Sequence, residues 1–479
     1  MGSQSPVTNP TKFAGPDSLC HRIINISEIE PFLPSDCCIY EVPINLRQVN
    51  EKAYTPLLIS IGPLHHGKKE FSKMEKQKEM YFQFFSKRLP KEDLEKYEAY
   101  LGDEKTETQI RSCYSEKHDD IKKQDFVRMI LLDSVFIMEL FLRNLKSKKE
   151  VENDCIFTKP WISKTIQRDL LLLENQLPII VLKELYGFVP GGEKGEYGNF
   201  LELAHVYFES FDPMKSLEEA VPDDAKNNHR TNACCELFHH EYPQRQDKNL
   251  KNWEKSIHFT DLIRHLYLPP IELKVKPSLD VLRNAMKLNE AGITFEKLTG
   301  TRLLDIKFKK ERFSHFLCLS CLPYFTCFKA RFQIPQLKVD HTTECVLRNL
   351  IAFEQCHYPE TPYICNYVSL IDSLIHTTDD VELLVETKVL VHQLGSHKEL
   401  ATLVNGLCKH VVTNATCYSD IISVLNQHYK SIWNRSMAAL RLVYFRDPWR
   451  SSSTLVGIVI VVFAVFQFWR VIRSIFGHK

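Results

Sequence analysis

From Ser451 to Trp469 the chain carries nineteen residues without a charge, and no other feature constrains its folding so much. A helix of that length reaches about 28 Å at 1.5 Å per residue, close to the roughly 30 Å hydrocarbon layer of a bilayer. Within Leu455–Phe468 eleven residues are Leu, Val, Ile or Phe, together worth about −3 to −6 kcal/mol on an insertion scale. Trp449 and Trp469 stand a membrane thickness apart, Arg450, Arg470 and Arg473 close the ends, and Asp447 followed by Pro448 offers an N-cap and a first-turn proline. The pattern predicts a single-pass transmembrane helix over 447–471, anchored by Trp449, Leu455, Phe463, Trp469 and Arg470, with a short tail over 472–479. A buried core helix is the competing reading. Arginines on the two sides nearly balance, so charge does not orient the span. Its position near the C-terminus predicts a tail-anchored protein of the plasma membrane with its bulk in the cytosol. Asn25, Asn414 and Asn434 begin N-x-S/T triplets, usable as glycan sites only if the bulk faces the lumen.

The remainder is an ordinary globular sequence. Of 479 residues, 44% are hydrophobic and 25% charged, which excludes disordered, collagenous and coiled-coil chains. Lysine plus arginine is 61 against 60 acidic residues, a balance that supplies no field for gripping a polyphosphate, so no nucleic-acid partner is expected. Fifteen cysteines are too few for a disulfide-built scaffold and odd in number, which fits mostly reduced thiols. Residues 1–20 lack the basic start and apolar run of a secretory signal. Gly2 is followed by Pro6 where a myristoylation motif needs Ser or Thr.

The expected fold class is mainly α: one large helical domain with a minor β-hairpin element. Residues 1–36 read as a flexible N-terminus, 37–186 and 257–446 as the two helical parts of the domain, and 187–256 as a Gly-rich loop with a polar excursion. Met74, Lys78, Tyr81, Phe82 and Phe85 mark an amphipathic helix within Lys68–Tyr100, and Phe126–Leu145, apolar nearly all round, a core helix. Asp133 and Glu139, six apart in it, do not form an obvious carboxylate pair. Glu174, Asn175 and Gln176 lie between apolar runs ahead of Pro178, where polar side chains can satisfy backbone groups freed by a proline. Helices are expected over His258–Leu268 and Ser278–Asn289, a strand over Leu303–Phe308 with a partner in Phe332–Val339, and a helix through Glu344–Gln355 capped by Asp340. Ser396 and Glu399 form a capping box.

Eight stretches carry a resemblance: Ile59–Gly67 (ISIGPLHHG), Arg111–Tyr114 (RSCY), Leu132–Glu139 (LDSVFIME), Leu172–Pro178 (LLENQLP), Ala291–Phe295 (AGITF), Leu347–Gln355 (LRNLIAFEQ), Leu394–Glu399 (LGSHKE) and Tyr444–Trp449 (YFRDPW). In this order they resemble the plant family called domain of unknown function 247, of the UPF0481 type. The resemblance implies a plant-specific, single-span membrane protein without an agreed biochemical activity; some grass members are implicated in the pollen side of self-incompatibility. Ser134 and Val135 stand where the family usually has Gly-Cys, a change of packing rather than of chemistry. Roughly Glu311–Arg331 interrupts a turn that family members make directly, and reads as a retained intron tail or an apolar hairpin insert.

Candidate chemistry is sparse. No G-x-S-x-G, H-E-x-x-H, P-loop or dinucleotide fingerprint occurs, and no cofactor is expected. Cys318, Cys321 and Cys327 lack a fourth ligand at zinc spacing, and Cys234, Cys235, His239 and His240 fall in the polar excursion, so no metal is expected either. The catalytic candidates are Glu174, His65 and Glu354, acids and a histidine expected in or near the core; a satisfied polar network, and for His65 and His66 a hydrogen-bonded turn, is the structural alternative. The leading functional reading is a membrane-anchored interaction protein in recognition or signalling, its partners being the bilayer and other proteins. The other reading is a membrane-tethered hydrolase using the buried carboxylates or histidines.

Overall fold

The computed structural model describes residues 36–147, 149–190, 198–214, 252–277, 280–312, 328–444 and 448–476. The polar excursion beyond residue 214, most of Gly191–Gly198, Ser278, Asp447 and the Cys318, Cys321 and Cys327 thiols lie outside them.

The chain is mainly helical. Its centre is the helix Lys123–Asn144, in which Asp133 through Leu142 is buried without interruption, as its all-round apolar sequence requires. The helices Ser72–Phe85 and Lys91–Gly102 pack against it. The single helix expected within Lys68–Tyr100 is thus two, the second entered at Pro90, whose ring and missing N–H do not allow a helix to run through it. Lys78, Tyr81 and Phe85 form the buried stripe of the first. Ser134 is accommodated by hydrogen bonds, its hydroxyl donating to the Ile130 carbonyl at 2.7 Å and receiving the Tyr97 hydroxyl at 3.1 Å.

In the C-terminal part His341–His357 packs between Phe259–Tyr267 and Tyr363–Leu374. Asp340 caps it, accepting from the Thr343 N–H at 2.6 Å. Ser396 likewise accepts from the Glu399 N–H at 3.2 Å, whereas the Glu399 carboxylate takes the Gly395 N–H at 3.0 Å. The helix expected over Ser278–Asn289 is confined to Ala285–Glu290. Strands β1 (Ile293–Leu298), β2 (Lys307–Arg312) and β3 (Phe328–Pro335) form a sheet of order β1-β3-β2, and β4 (Leu337–Val339) pairs in parallel with β5 (Leu390–His392). β2 and β3 are antiparallel with Phe308 opposite Phe332, which is the expected pairing, although Leu303, Leu304 and Ile306 are buried ahead of β2 rather than within it. The parallel β1–β3 pair was not expected, because AGITF is too short to show strand alternation. One apolar cluster runs from Cys38 through Leu425 and joins both helical parts.

The transmembrane expectation is corrected. Pro448–Phe476 is helical, as the apolar run demands, yet among the described residues no helix is long and apolar enough to cross a membrane. Phe463 and Arg470 both lie within this helix. The side chains of Trp449 and Leu455, on which the expected span also relied, lie outside the described residues. The single-pass and tail-anchored assignments fall with the span.

Candidate functional site

Four of the resembling stretches, Ile59–Gly67, Leu132–Glu139, Leu172–Pro178 and Leu347–Gln355, meet in one place. Leu172–Pro178 is irregular chain between Pro160–Asp169 and Ile179–Gly187, and its three polar side chains are buried. Asn175 accepts from the Ile61 N–H at 2.7 Å and donates to the carbonyls of Ile59 (3.0 Å) and Asp169 (2.8 Å). Gln176 donates to the Leu170 and Leu172 carbonyls at 2.6 and 2.7 Å and accepts from the Phe259 N–H at 2.9 Å. Asp169 accepts from the N–H groups of Leu57, Leu58 and Ile59. Asn349, from the LRNLIAFEQ stretch, accepts from the Leu173 N–H at 2.9 Å. Side-chain amides here replace the ladder that a proline-interrupted segment cannot make for itself.

Gly62 shows how closely these segments approach. Its φ is +70°, and an added Cβ would lie 2.7 Å from the Gln176 carbonyl oxygen, so both conformation and space require glycine. Its N–H donates to Asp133 at 2.8 Å, and the other Asp133 oxygen pairs with Lys78 at 2.6 Å. Burial works against the Lys78 ammonium, but the Asp133 and Glu75 carboxylates outweigh it and raise its pKa. Glu139 pairs separately with Arg88 and Arg143, so Asp133 and Glu139 form no acid pair.

Glu174 and His65, both sequence candidates, do come together. His65 Nε2 lies 3.3 Å from Glu174 Oε2, while Glu174 Oε1 accepts from the Val42 N–H at 2.7 Å and from Arg47. Lys68 Nζ stands 2.8 Å from His65 Nδ1. An ammonium only donates, so Nδ1 is the acceptor and the proton of the neutral ring sits on Nε2, facing the carboxylate. His66 is exposed, and its N–H closes a turn onto the Pro63 carbonyl at 3.1 Å. Burial alone would raise the Glu174 carboxyl; His65, Arg47 and the Val42 N–H outweigh it and hold the pKa below the ordinary value. The pair is a base held ionised in a closed setting, with Glu174 4% and His65 5% exposed.

Glu354 has other partners. Arg264 Nε donates to it at 2.7 Å and the Cys365 N–H at 2.9 Å, and the Arg264 guanidinium lies over the Tyr358 ring at 3.9 Å. Burial raises its carboxyl above the ordinary value despite Arg264. Its neighbour Gln355 instead exchanges two 3.0 Å hydrogen bonds with the Val412 backbone. Among the described residues no three His, Cys, Asp or Glu side chains are placed to hold a metal.

Sequence reasoning missed Arg47 and Lys68, and it missed an open cleft of about 590 Å³ beside the N-terminal segment. Pro178, Ile179 and Ile257 form its apolar wall, with Ile180, Lys183 and Lys255 along it. Nothing local marks Arg47 as the partner of a carboxylate 127 residues away.

Glu174→Ala should destabilise the chain by about 1–3 kcal/mol for each donor that stays dry, the Val42 N–H first. Glu174→Gln keeps the shape and should be milder. Because the folded pKa is depressed, the stability Glu174 contributes is complete above the ordinary value of 4.5 and is lost as pH falls through the folded value. Denaturation of the parent and the Gln variant at pH 7 and in acid checks this: their difference should shrink in acid, and a constant gap would refute the ionic role.

The chain belongs to the DUF247 family, described as plant proteins of unknown function, whose profile covers residues 39–463. It is similar to a UPF0481 protein of Arabidopsis thaliana, 27% identical over 465 residues, which span 92% of this chain and 88% of the relative. A second Arabidopsis thaliana protein bearing the UPF0481 name is 25% identical over 500 residues, with 91% and 90% covered. No solved structure matches the chain.

Proposed function

We propose that this protein is an interaction component of a recognition or signalling pathway and that it takes an extended, acidic segment of a partner protein in the cleft beside Ile179. The observation that carries the reading is the composition of that cleft. An apolar floor of Ile179 and Ile257 lies beside exposed Ile180, and among the described residues two exposed ammonium groups, Lys183 and Lys255, outnumber the one lining carboxylate, Asp36. Apolar side chains of a bound segment would bury against the isoleucines while its carboxylates meet the lysines, the division of labour found in protein interfaces. The enclosure of Glu174 and His65 supports binding over hydrolysis, since a general base must reach a substrate proton directly or through one water.

Proximity labelling in plant cells tests the reading. The double variant K183E/K255E, whose changes are at exposed positions and leave folding intact, should lose tenfold or more of the labelled partners held by the parent. An unchanged partner set at equal protein levels would overturn the assignment of the cleft.

A further inference from the structure

The cleft also reaches sulfur. Cys37, Cys38 and Cys113 line it, and two of them are held in register by the backbone. Ile39 and Tyr114 form a parallel bridge, with the Cys38 and Ile39 N–H groups both donating to the Cys113 carbonyl, at 2.9 and 2.8 Å, and the Ser115 N–H returning to Ile39 at 2.9 Å. Register therefore places Cys38 beside Cys113, one residue before the bridge on each segment. The Cys38 N–H bond to the Cys113 carbonyl makes the two residues direct backbone neighbours at the end of the helix Glu104–Ser112, and both line the cleft. Both cysteines are free thiols in this structure.

We propose that Cys38 and Cys113 are a reversible dithiol–disulfide couple, oxidised by a hydroperoxide that enters through the cleft. The two sulfurs divide the roles. Cys113 directs its thiol toward the Gln109 carbonyl at 3.3 Å, and the neighbouring Cys38 side chain lowers its pKa, while the Cys38 pKa is raised by Cys113 and by burial. Cys113 is thus the first to ionise. Its thiolate attacks the terminal oxygen of the hydroperoxide and breaks the O–O bond. The departing alkoxide takes a proton and leaves as the alcohol, or as water from hydrogen peroxide. Cys38 sulfur then attacks the Cys113 sulfenic acid; the S–S bond forms, the S–O bond breaks, and hydroxide leaves as water with the Cys38 proton. Two thiols have lost two electrons to one peroxide. Reduction by an external dithiol reverses the step.

The consequence is local. The Cys37–Val42 segment supplies the N–H that Glu174 accepts and one wall of the cleft. A Cys38–Cys113 bond would tie that segment covalently to the end of the helix Glu104–Ser112. This couple does not depend on the identity of any partner bound in the cleft.

The test uses the full chain, hydrogen peroxide, and alkylation followed by peptide mass spectrometry. Peroxide should remove two of the fifteen thiols, yield a linked peptide pair containing Cys38 and Cys113, and be fully reversed by dithiothreitol. In Cys38→Ser the Cys113 sulfenic acid should persist and be captured by dimedone; in Cys113→Ser, Cys38 should stay alkylatable. A parent in which both thiols survive peroxide, in which Cys113 stops at the sulfenic acid, or in which Cys113 links to Cys37 instead would overturn the proposal. The measurement on the parent stands whether or not either variant folds.

Discussion

Asp133→Ala should destabilise the protein by about 3–5 kcal/mol, because it strands a buried ammonium. Lys78 is 1% exposed, and Asp133, at 2.6 Å, is its buried counter-ion. Glu75 remains, but its side chain is 35% exposed and its charge is better screened by water. The Gly62 N–H loses its acceptor in the same change. Removing the stranded charge should therefore rescue the variant: Asp133→Ala combined with Lys78→Met should recover more than half of the loss, the remainder being the unpaired Gly62 N–H and the Ser60 carbonyl that Lys78 no longer meets. Urea unfolding of the parent, both single variants and the double variant measures the coupling. If the double variant is no more stable than Asp133→Ala alone, the ion pair is not what holds the ISIGPLHHG stretch to the central helix.

Glu354→Ala should cost a similar amount, about 3–5 kcal/mol. It leaves Arg264, 3% exposed, with the Thr361 carbonyl at 2.9 Å and the Tyr358 ring but no counter-ion, and it removes the acceptor of the Cys365 N–H. These contacts tie Phe259–Tyr267 to His341–His357 and to the start of Tyr363–Leu374, so the loss falls on three helices at once. Glu354→Gln keeps the acceptor oxygen and the volume. Like Ala it leaves Arg264 without a counter-ion, so the Gln variant should recover only the part of the loss that comes from the hydrogen bonds and the filled volume. Equal losses for the two variants would show that the charge itself, rather than the filled and hydrogen-bonded site, stabilises the helix junction.

Glu354, a catalytic candidate in the sequence, and Asp133, which the sequence did not mark for chemistry, are both used by the fold as fasteners. Glu174, Asp133, Asp169 and Glu354 each end on backbone N–H groups as well as on side chains. Asp133 and Asp169 hold the Ile59–Gly67 stretch, through Gly62 and Ile59. The family resemblance is therefore, at least in Ile59–Gly67, Leu132–Glu139 and Leu172–Pro178, a record of how irregular chain is packed against helices. Cys38, Cys113, Lys183 and Lys255 line the open cleft instead.

What was legible in the sequence is what neighbouring residues decide. The buried helix Lys123–Asn144 follows from an apolar period within twenty residues, the start of His341–His357 from the Asp340 cap three residues from its bond partner, and the pairing of Phe308 with Phe332 from alternation on two short strands. DUF247 membership was legible too, since it rests on the order of short motifs. Tertiary structure alone decided that Glu174 would face His65, 109 positions earlier, and take Arg47 as its cation. It also decided that Cys38 would lie in register with Cys113 and that β1 would join the sheet in parallel. The physical reason is one of range: caps and periodicity act within one or two turns of chain. The partner of a buried charge depends instead on which distant segments the whole core brings to the same few ångströms.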